Sequence, residues 1–245
     1  MKSRSLRIGT WNIGASRNVR SIFQAAQALD LNICLLQEVA LDSQSFADWE
    51  NQAKDSGKDG FVFLCNSALA TISADFHPSR QYGIAAILKR SVKLCGLTSF
   101  LLSPFERQRL TSENEQRLLQ ILSVDTGERL VIANTHLAHT RGWAPSRCRR
   151  AQIGDISLYL QPLAADGPAI LGGDFNVTSG DAEMAQLRQT LPHAFVPEGE
   201  SYVGETPGRT IDYFISNKRL KAQVSLHQTR EITDHNLVVL DVEDW

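Results

Sequence analysis

Nine short runs rich in Ile, Val and Leu recur along the chain, at Arg7–Ile13, Asn32–Leu36, Phe61–Cys65, Gly83–Leu88, Leu118–Val124, Leu130–Thr135, Ala169–Gly172, Thr210–Ser216 and Leu237–Val242. Runs this short and this rich in β-branched residues read as buried strands. Only four stretches, Arg17–Leu29, Gln44–Ala53, Ser146–Leu163 and Asp181–Thr190, place apolar residues at helical spacing. Strict strand–helix alternation would need equal numbers, so the pattern predicts an α/β protein of two packed mixed β-sheets with helices outside. At 245 residues the chain is long enough to form this as one domain, 1–245. The polar stretches Lys54–Gly60, Ser103–Gln116 and Glu198–Gly208 are predicted loops, the last two long enough to border a functional site.

A formal charge of −2 and a pI near 6.3 exclude a protein that coats nucleic acid by bulk electrostatics. They leave room for a local basic lip, and Arg141, Arg147, Arg149 and Arg150 form one without an intervening acid. No apolar run approaches the ~20 residues needed to cross a bilayer, so no transmembrane segment is expected. Met1-Lys2-Ser3-Arg4-Ser5 leads straight into the first strand without the apolar core of a secretory signal, which points to a cytoplasmic, intracellular protein. Cys34, Cys65, Cys95 and Cys148 are widely separated, and neither a disulfide framework nor a zinc knuckle is expected.

Acid, amide and imidazole groups cluster where the strand-like runs end: Asn12, Glu38, His136, Asp174, Asn176, Asp212, Asp234 and His235. Were the strands neighbours, these side chains would share one rim. Two carboxylates ~4 Å apart repel by roughly 4 kcal/mol at an effective dielectric of ~20, so a bound cation or a shared proton must offset them. Carboxylate and amide oxygens suit Mg²⁺, or Mn²⁺, better than zinc. Glu38 is the acid expected on the metal, with Asn12 beside it to hold an oxygen ligand or a water.

Phosphoester hydrolysis needs an in-line water, a base, and donors to the phosphate oxygens. Asp174 is the candidate base, with Asn176 on the same turn to orient the water or an oxygen. His235 and His136 are candidate phosphate donors, and Asp212 would orient His235 and favour its protonation. Arg141, Arg147 and Trp143 are candidate substrate contacts, the indole offering a flat ring to a base or a headgroup.

Thr10-Trp11-Asn12, Gln37-Glu38, Asn134-Thr135-His136-Leu137, Gly173-Asp174-Phe175-Asn176, Ile211-Asp212-Tyr213 and Thr233-Asp234-His235, in this order, resemble the endonuclease/exonuclease/phosphatase superfamily of metal-dependent phosphohydrolases. The resemblance implies a four-layer α/β sandwich, Mg²⁺ at Glu38, water activation by Asp174, an Asp212–His235 pair at the scissile phosphate, and Asp234 on metal or water. Gly14 and His136 depart from the abasic-endonuclease branch, which places Asp and Tyr there. The segment His136 to Gly142, followed by Arg147 and Gln152, is similar to the tyrosyl-DNA phosphodiesterase 2 branch and, less closely, to neutral sphingomyelinases. The expected activity is therefore a Mg²⁺-dependent phosphodiesterase on DNA, as an endonuclease or in end processing. The alternative is a phosphoinositide phosphatase or sphingomyelinase-like lipid phosphodiesterase.

Overall fold

Trp11, Ile22, Phe23, Leu36 and Trp49 are packed together out of solvent, and so are Ile121, Ala133, Ile153, Leu171 and Tyr213 in a second cluster. A third cluster, including Ile8, Leu35, Leu122, Ile132, Ile170 and Phe214, lies between the two sheets themselves. Three apolar seams separate four layers: helices, sheet, sheet, helices. The computed structural model that shows this describes residues 5–16, 18–67, 82–103, 117–205 and 207–244.

In the first sheet β1 (Leu6–Asn12), β2 (Ile33–Ala40), β3 (Phe61–Ser67) and β4 (Tyr82–Lys89) combine with the last two strands, β11 (Lys221–His227) and β12 (Leu237–Asp244). Their order is β11-β12-β1-β2-β4-β3. The second sheet contains β5 (Lys93–Leu102), β6 (Arg117–Asp125), β7 (Arg129–His136), β8 (Ala169–Asp174), β9 (His193–Phe195) and β10 (Asp212–Ser216), ordered β5-β6-β7-β8-β10-β9. Both are mixed. β1 runs parallel to β2 and β7 parallel to β8, whereas the remaining pairs are antiparallel.

Parallel neighbours require a crossover, and helices supply both. α1 (Val19–Ala28) links β1 to β2, and α3 (Arg147–Asp166) links β7 to β8. On α1 the buried residues Val19, Ile22, Phe23 and Ala26 recur at helical spacing, and burial of each larger one contributes about 1.5–3 kcal/mol. α2 (Ser43–Asp55) covers the same sheet with Trp49, which stacks on Phe63 at 4.9 Å. The second sheet is covered by α3 and the short α4 (Ala185–Thr190). Side chains of Asn18, Asp42 and Ser146 cap α1, α2 and α3, each accepting from a backbone N–H of the first turn.

The two packed mixed sheets expected from the sequence are present, with more strands than expected. β5, β9 and β11 were not among the nine predicted runs. The predicted helix Asp181–Thr190 divides into a 3₁₀ turn, Ala182–Met184, followed by α4. Of the predicted loop Ser103–Gln116, residues 104–116 lie outside the described residues, as does Arg17 at the start of the first predicted helix. No helix among the described residues is long and apolar enough to cross a membrane.

Candidate active site

Side chains two apart on a strand share a face, so the inter-sheet seam can be followed along each strand to its end. β1 runs Ile8, Thr10, Asn12; β7 runs Leu130, Ile132, Asn134, His136; β8 runs Ile170, Gly172, Asp174; β10 enters at Asp212 and passes to Phe214. In β1, β7 and β8 the first residues of the series are apolar core and the last is a candidate catalytic group, whereas antiparallel β10 starts with its catalytic group and passes into the core. Strand register then sets them in a row. His136 pairs with Asp174, and Asp174 pairs with Asp212. Close approach of β8 to β7 requires a glycine beside the acid, because a Cβ on Gly173 would lie 2.1 Å from Thr135 O.

Asp174 is the centre of the row and is ringed by donors. Its Oδ2 accepts from Asn12 Nδ2 at 3.0 Å and lies 3.4 Å from His136 Nε2 and 3.8 Å from His235 Nε2. Its Oδ1 accepts from the Asn176 backbone N–H at 2.9 Å. Asn176 is itself held, donating from Nδ2 to Leu137 O at 2.8 Å. Burial, reinforced by the charge of Asp212, pushes Asp174 up to about 7 in the metal-free protein, against the opposing pull of His235, Asn12 and Asn176.

The two histidines are in opposite states. Burial by itself would hold His235 down, but Asp212, through its charge and its 2.9 Å contact with Nδ1, together with Asp174 and Glu38, raises it to about 10. His235 is therefore an imidazolium at neutral pH. Burial and then Arg117 hold His136 well below its ordinary value. Arg117 Nη1 donates to His136 Nδ1 at 2.8 Å, and a guanidinium cannot accept, so the His136 proton resides on Nε2. That proton faces Asp174 and, at 3.9 Å, Glu38 Oε1.

Glu38 is half-exposed on the rim and takes a hydrogen bond from Asn12 Nδ2 at 3.1 Å. Asn12 thus donates to both acids, while its oxygen accepts from the Gly14 N–H at 3.0 Å. Asp234 is exposed beside His235, its Oδ1 accepting from Thr233 Oγ1 at 3.3 Å. Gly14 faces the same Thr233 at φ +53, a left-handed conformation that favours glycine.

The mouth is built from two loops. Trp143 donates from Nε1 to Glu205 Oε2 at 3.0 Å, has Arg209 over its face at 4.6 Å, and meets Tyr202 edge-on at 5.6 Å. Tyr202 in turn lies 4.9 Å from the His235 ring. The predicted loop Glu198–Gly208 therefore borders the site, as expected. Tyr202 and Arg209 were missed in the sequence because neither belongs to a recognisable motif. Arg141, in the same 3₁₀ turn as Trp143, and Arg147, the first residue of α3, are exposed. Arg149, expected in the same basic lip, is instead buried. It donates from Nε and Nη2 to Glu183 Oε2 at 3.0 and 2.5 Å, from Nη1 to Ala138 O at 3.0 Å, and from Nη2 to Ala144 O at 3.1 Å.

The donor set fits a hard dication on its oxygen side. Asp174, Asp212 and His235 offer ligand atoms within 4.8 Å of one another, and among the described residues buried Asp212 Oδ1 has no hydrogen-bond partner. His235, however, already has its Nδ1 engaged by Asp212 at 2.9 Å, and its Nε2 faces Asp174 at 3.8 Å. The half-exposed carboxylate of Glu38, sharing Asn12 with Asp174, offers oxygens without that competition.

A row of acids, amides and histidines at the common edge of two face-packed mixed sheets defines a phosphoester-hydrolysing α/β sandwich. A sequence model of the Endonuclease/Exonuclease/phosphatase family matches residues 9–235, and the chain belongs to that family. Its members are divalent-metal-dependent phosphoester hydrolases, and this chain is an enzyme of that kind. Among solved structures, the endonuclease/exonuclease/phosphatase from Bacteroides vulgatus is similar with a TM-score of 0.74 at 17% identity, over 98% of this chain and 99% of that one. The catalytic domain of human Nocturnin with bound sulfate gives 0.73 at 20% identity, over 99% and 94%. TDP2 from C. elegans gives 0.66 at 16% identity, over 99% and 77%. A comparison with curated protein sequences finds no match.

Proposed function

We propose that the chain is a magnesium-dependent phosphodiesterase acting on DNA, as an endonuclease or an end-processing enzyme, in a single intracellular catalytic domain. The observation that carries the chemistry is the ring of donors around Asp174, with the His235–Asp212 pair on one side and Glu38 on the other. Glu38, with the exposed Asp234 as a further carboxylate, would hold Mg²⁺, which would supply positive charge to the phosphate oxygens and favour ionised Asp174. Asp174 takes the proton of the attacking water, its carboxylate held in place by Asn12 and the Asn176 N–H. The His235 imidazolium and the neutral Nε2–H of His136 donate to phosphate oxygens as negative charge grows in the transition state. Asp212 keeps His235 charged and oriented.

DNA as substrate is supported by the mouth. Arg141, Arg147 and Arg209 supply cations for a phosphodiester backbone, and Trp143 supplies a ring that one base can stack on. Charged Glu205 and Arg209 at this lip suit a polar polymer better than a bilayer. The test is one metal-dependent panel of supercoiled plasmid, abasic-site duplex, 5′-phosphotyrosyl oligonucleotide, a phosphoinositide and sphingomyelin, with Mg²⁺, Mn²⁺ or EDTA. Turnover of a DNA substrate, lost in EDTA, is expected. Turnover confined to the lipids refutes the substrate class, and folded protein without turnover on any of them refutes the catalytic reading.

A further inference from the structure

Along β2, Cys34 and Leu36 face the helix-covered outer core, and Val39 and Leu41 do so too. Three residues from Leu36 to Val39 break the two-residue period, and the register against β4 slips at the same point, Leu36 opposing Ala85 and Val39 opposing Gly83. One extra residue is accommodated there, with Glu38 at φ +53. Unbroken alternation would send Glu38 to the helix side. The bulge turns it to the rim, where Oε1 meets Asn12.

A left-handed glutamate persists only where its surroundings enforce it. Both carbonyls of the last regular pair, Leu36 O and Ala85 O, accept from Nδ2 of Asn134 at 3.1 and 2.9 Å. Asn134 belongs to β7, in the opposite sheet, so its amide bridges the sandwich. Its Oδ1 accepts at 2.8 Å from Nε2 of Gln37, the other residue of the bulge, which also donates to Thr10 Oγ1 at 3.1 Å. On the far side the Gln37 and Glu38 carbonyls accept from Ile13 N and Ala15 N at 3.1 and 3.0 Å. Asn134, Gln37 and Thr10 are fully buried, so water cannot replace these bonds.

We infer that Asn134 is a positioning residue, whose side-chain amide holds the β2 bulge open across the sandwich so that Glu38 faces the metal rim. The inference rests on the reading of Glu38 as a metal ligand. Loss of a group that orients a metal-ligating side chain typically weakens metal binding about 10–100-fold.

Mn²⁺ binding to the metal-free protein, measured calorimetrically alongside thermal melts, tests it in Asn134→Leu, Asn134→Asp, Gln120→Leu and Glu38→Gln. Gln120 is the control. It is an equally buried amide, paired with Asn134 across the β6–β7 ladder and accepting from Asn134 Nδ2 through Oε1 at a long 3.5 Å, but both bonds that it donates go to Leu64 O and Asn66 Oδ1 of β3 rather than to the bulge, at 3.3 and 2.8 Å. Both Asn134 variants are expected to raise the Mn²⁺ Kd about tenfold or more. Gln120→Leu should leave the Kd within about twofold while lowering the melting temperature comparably. Wild-type affinity in Glu38→Gln would remove the metal reading and this inference with it. Weakened Glu38→Gln, with Asn134 variants that bind like wild type or no worse than Gln120→Leu, would remove the inference alone. Asn134→Asp keeps the side chain's size if Asn134→Leu does not fold, and failure of both to fold would make the role structural and overturn it.

Discussion

Arg149→Met should destabilise the protein severely, although three neighbouring arginines can be replaced with little effect. The guanidinium is 1% exposed and spends four hydrogen bonds on Glu183, Ala138 O and Ala144 O. Glu183 is 5% exposed, and its Oε1 also accepts from the Ser146 N–H at 2.6 Å. Removing the arginine leaves the buried carboxylate with the Ser146 N–H and, at 4.0 Å, only the solvent-exposed Arg150 Nε, a loss of its buried partner that costs about 3–5 kcal/mol. In a domain of 150–250 residues each kcal/mol moves the melting temperature about 2–4 °C, which gives a drop of roughly 6–20 °C. Arg147→Ala, at an exposed position, should stay within about 0.5 kcal/mol of wild type. Pairing Arg149→Met with Glu183→Leu should recover part of the loss, because no charge is then buried alone. Thermal unfolding followed by circular dichroism measures all three. Arg149→Met melting within about 2 °C of wild type would refute the reasoning, as would a double variant no more stable than the single one.

Asp174→Asn and His235→Ala should each lower kcat about a hundredfold or more without lowering the melting temperature comparably, and near-normal rates on a turned-over substrate would refute the assigned roles. In metal-free protein the His235 ring should remain an imidazolium at pH 8 and titrate near 10, whereas His136 stays neutral at neutral pH. A raised pKa means that protonated His235 stabilises the fold fully below its ordinary value of 6.5, and that this contribution is lost as pH rises through about 10. NMR of the ring protons checks this, and a neutral His235 at pH 8 would show that Asp212 does not overcome burial.

The strands that escaped the sequence reading share one property: β5, β9 and β11 are all sheet edges. An edge strand has one neighbour and carries polar or exposed residues on much of its length, so the apolar contrast that revealed the interior strands is weak there. β5 shows this in Lys93, Cys95 and Leu97, all exposed. The row His136–Asp174–Asp212 was legible because each acid or imidazole flanks an apolar run, His136 and Asp174 at the end of a strand and Asp212 at the start of one, and strand termini at a common level bring such groups together. Arg149 was misplaced although its own helix contained the signal. It lies three, four, seven and eleven residues before Gln152, Ile153, Ile156 and Leu160, the buried stripe of α3. The bulge in β2 appears in the sequence only as a phase slip between Cys34, Leu36 and Val39, Leu41. One such slip is indistinguishable from noise until the partner strand is known.

Glu38 and Asn176, at φ +53 and +51, occupy a backbone region where glycine rests most easily. Selection for heat resistance alone would therefore pull position 38 toward glycine, relaxing the main chain while erasing the rim carboxylate. A library screened only by melting temperature should enrich sturdier, inert proteins at that codon, and one screened by turnover should reject the same exchange.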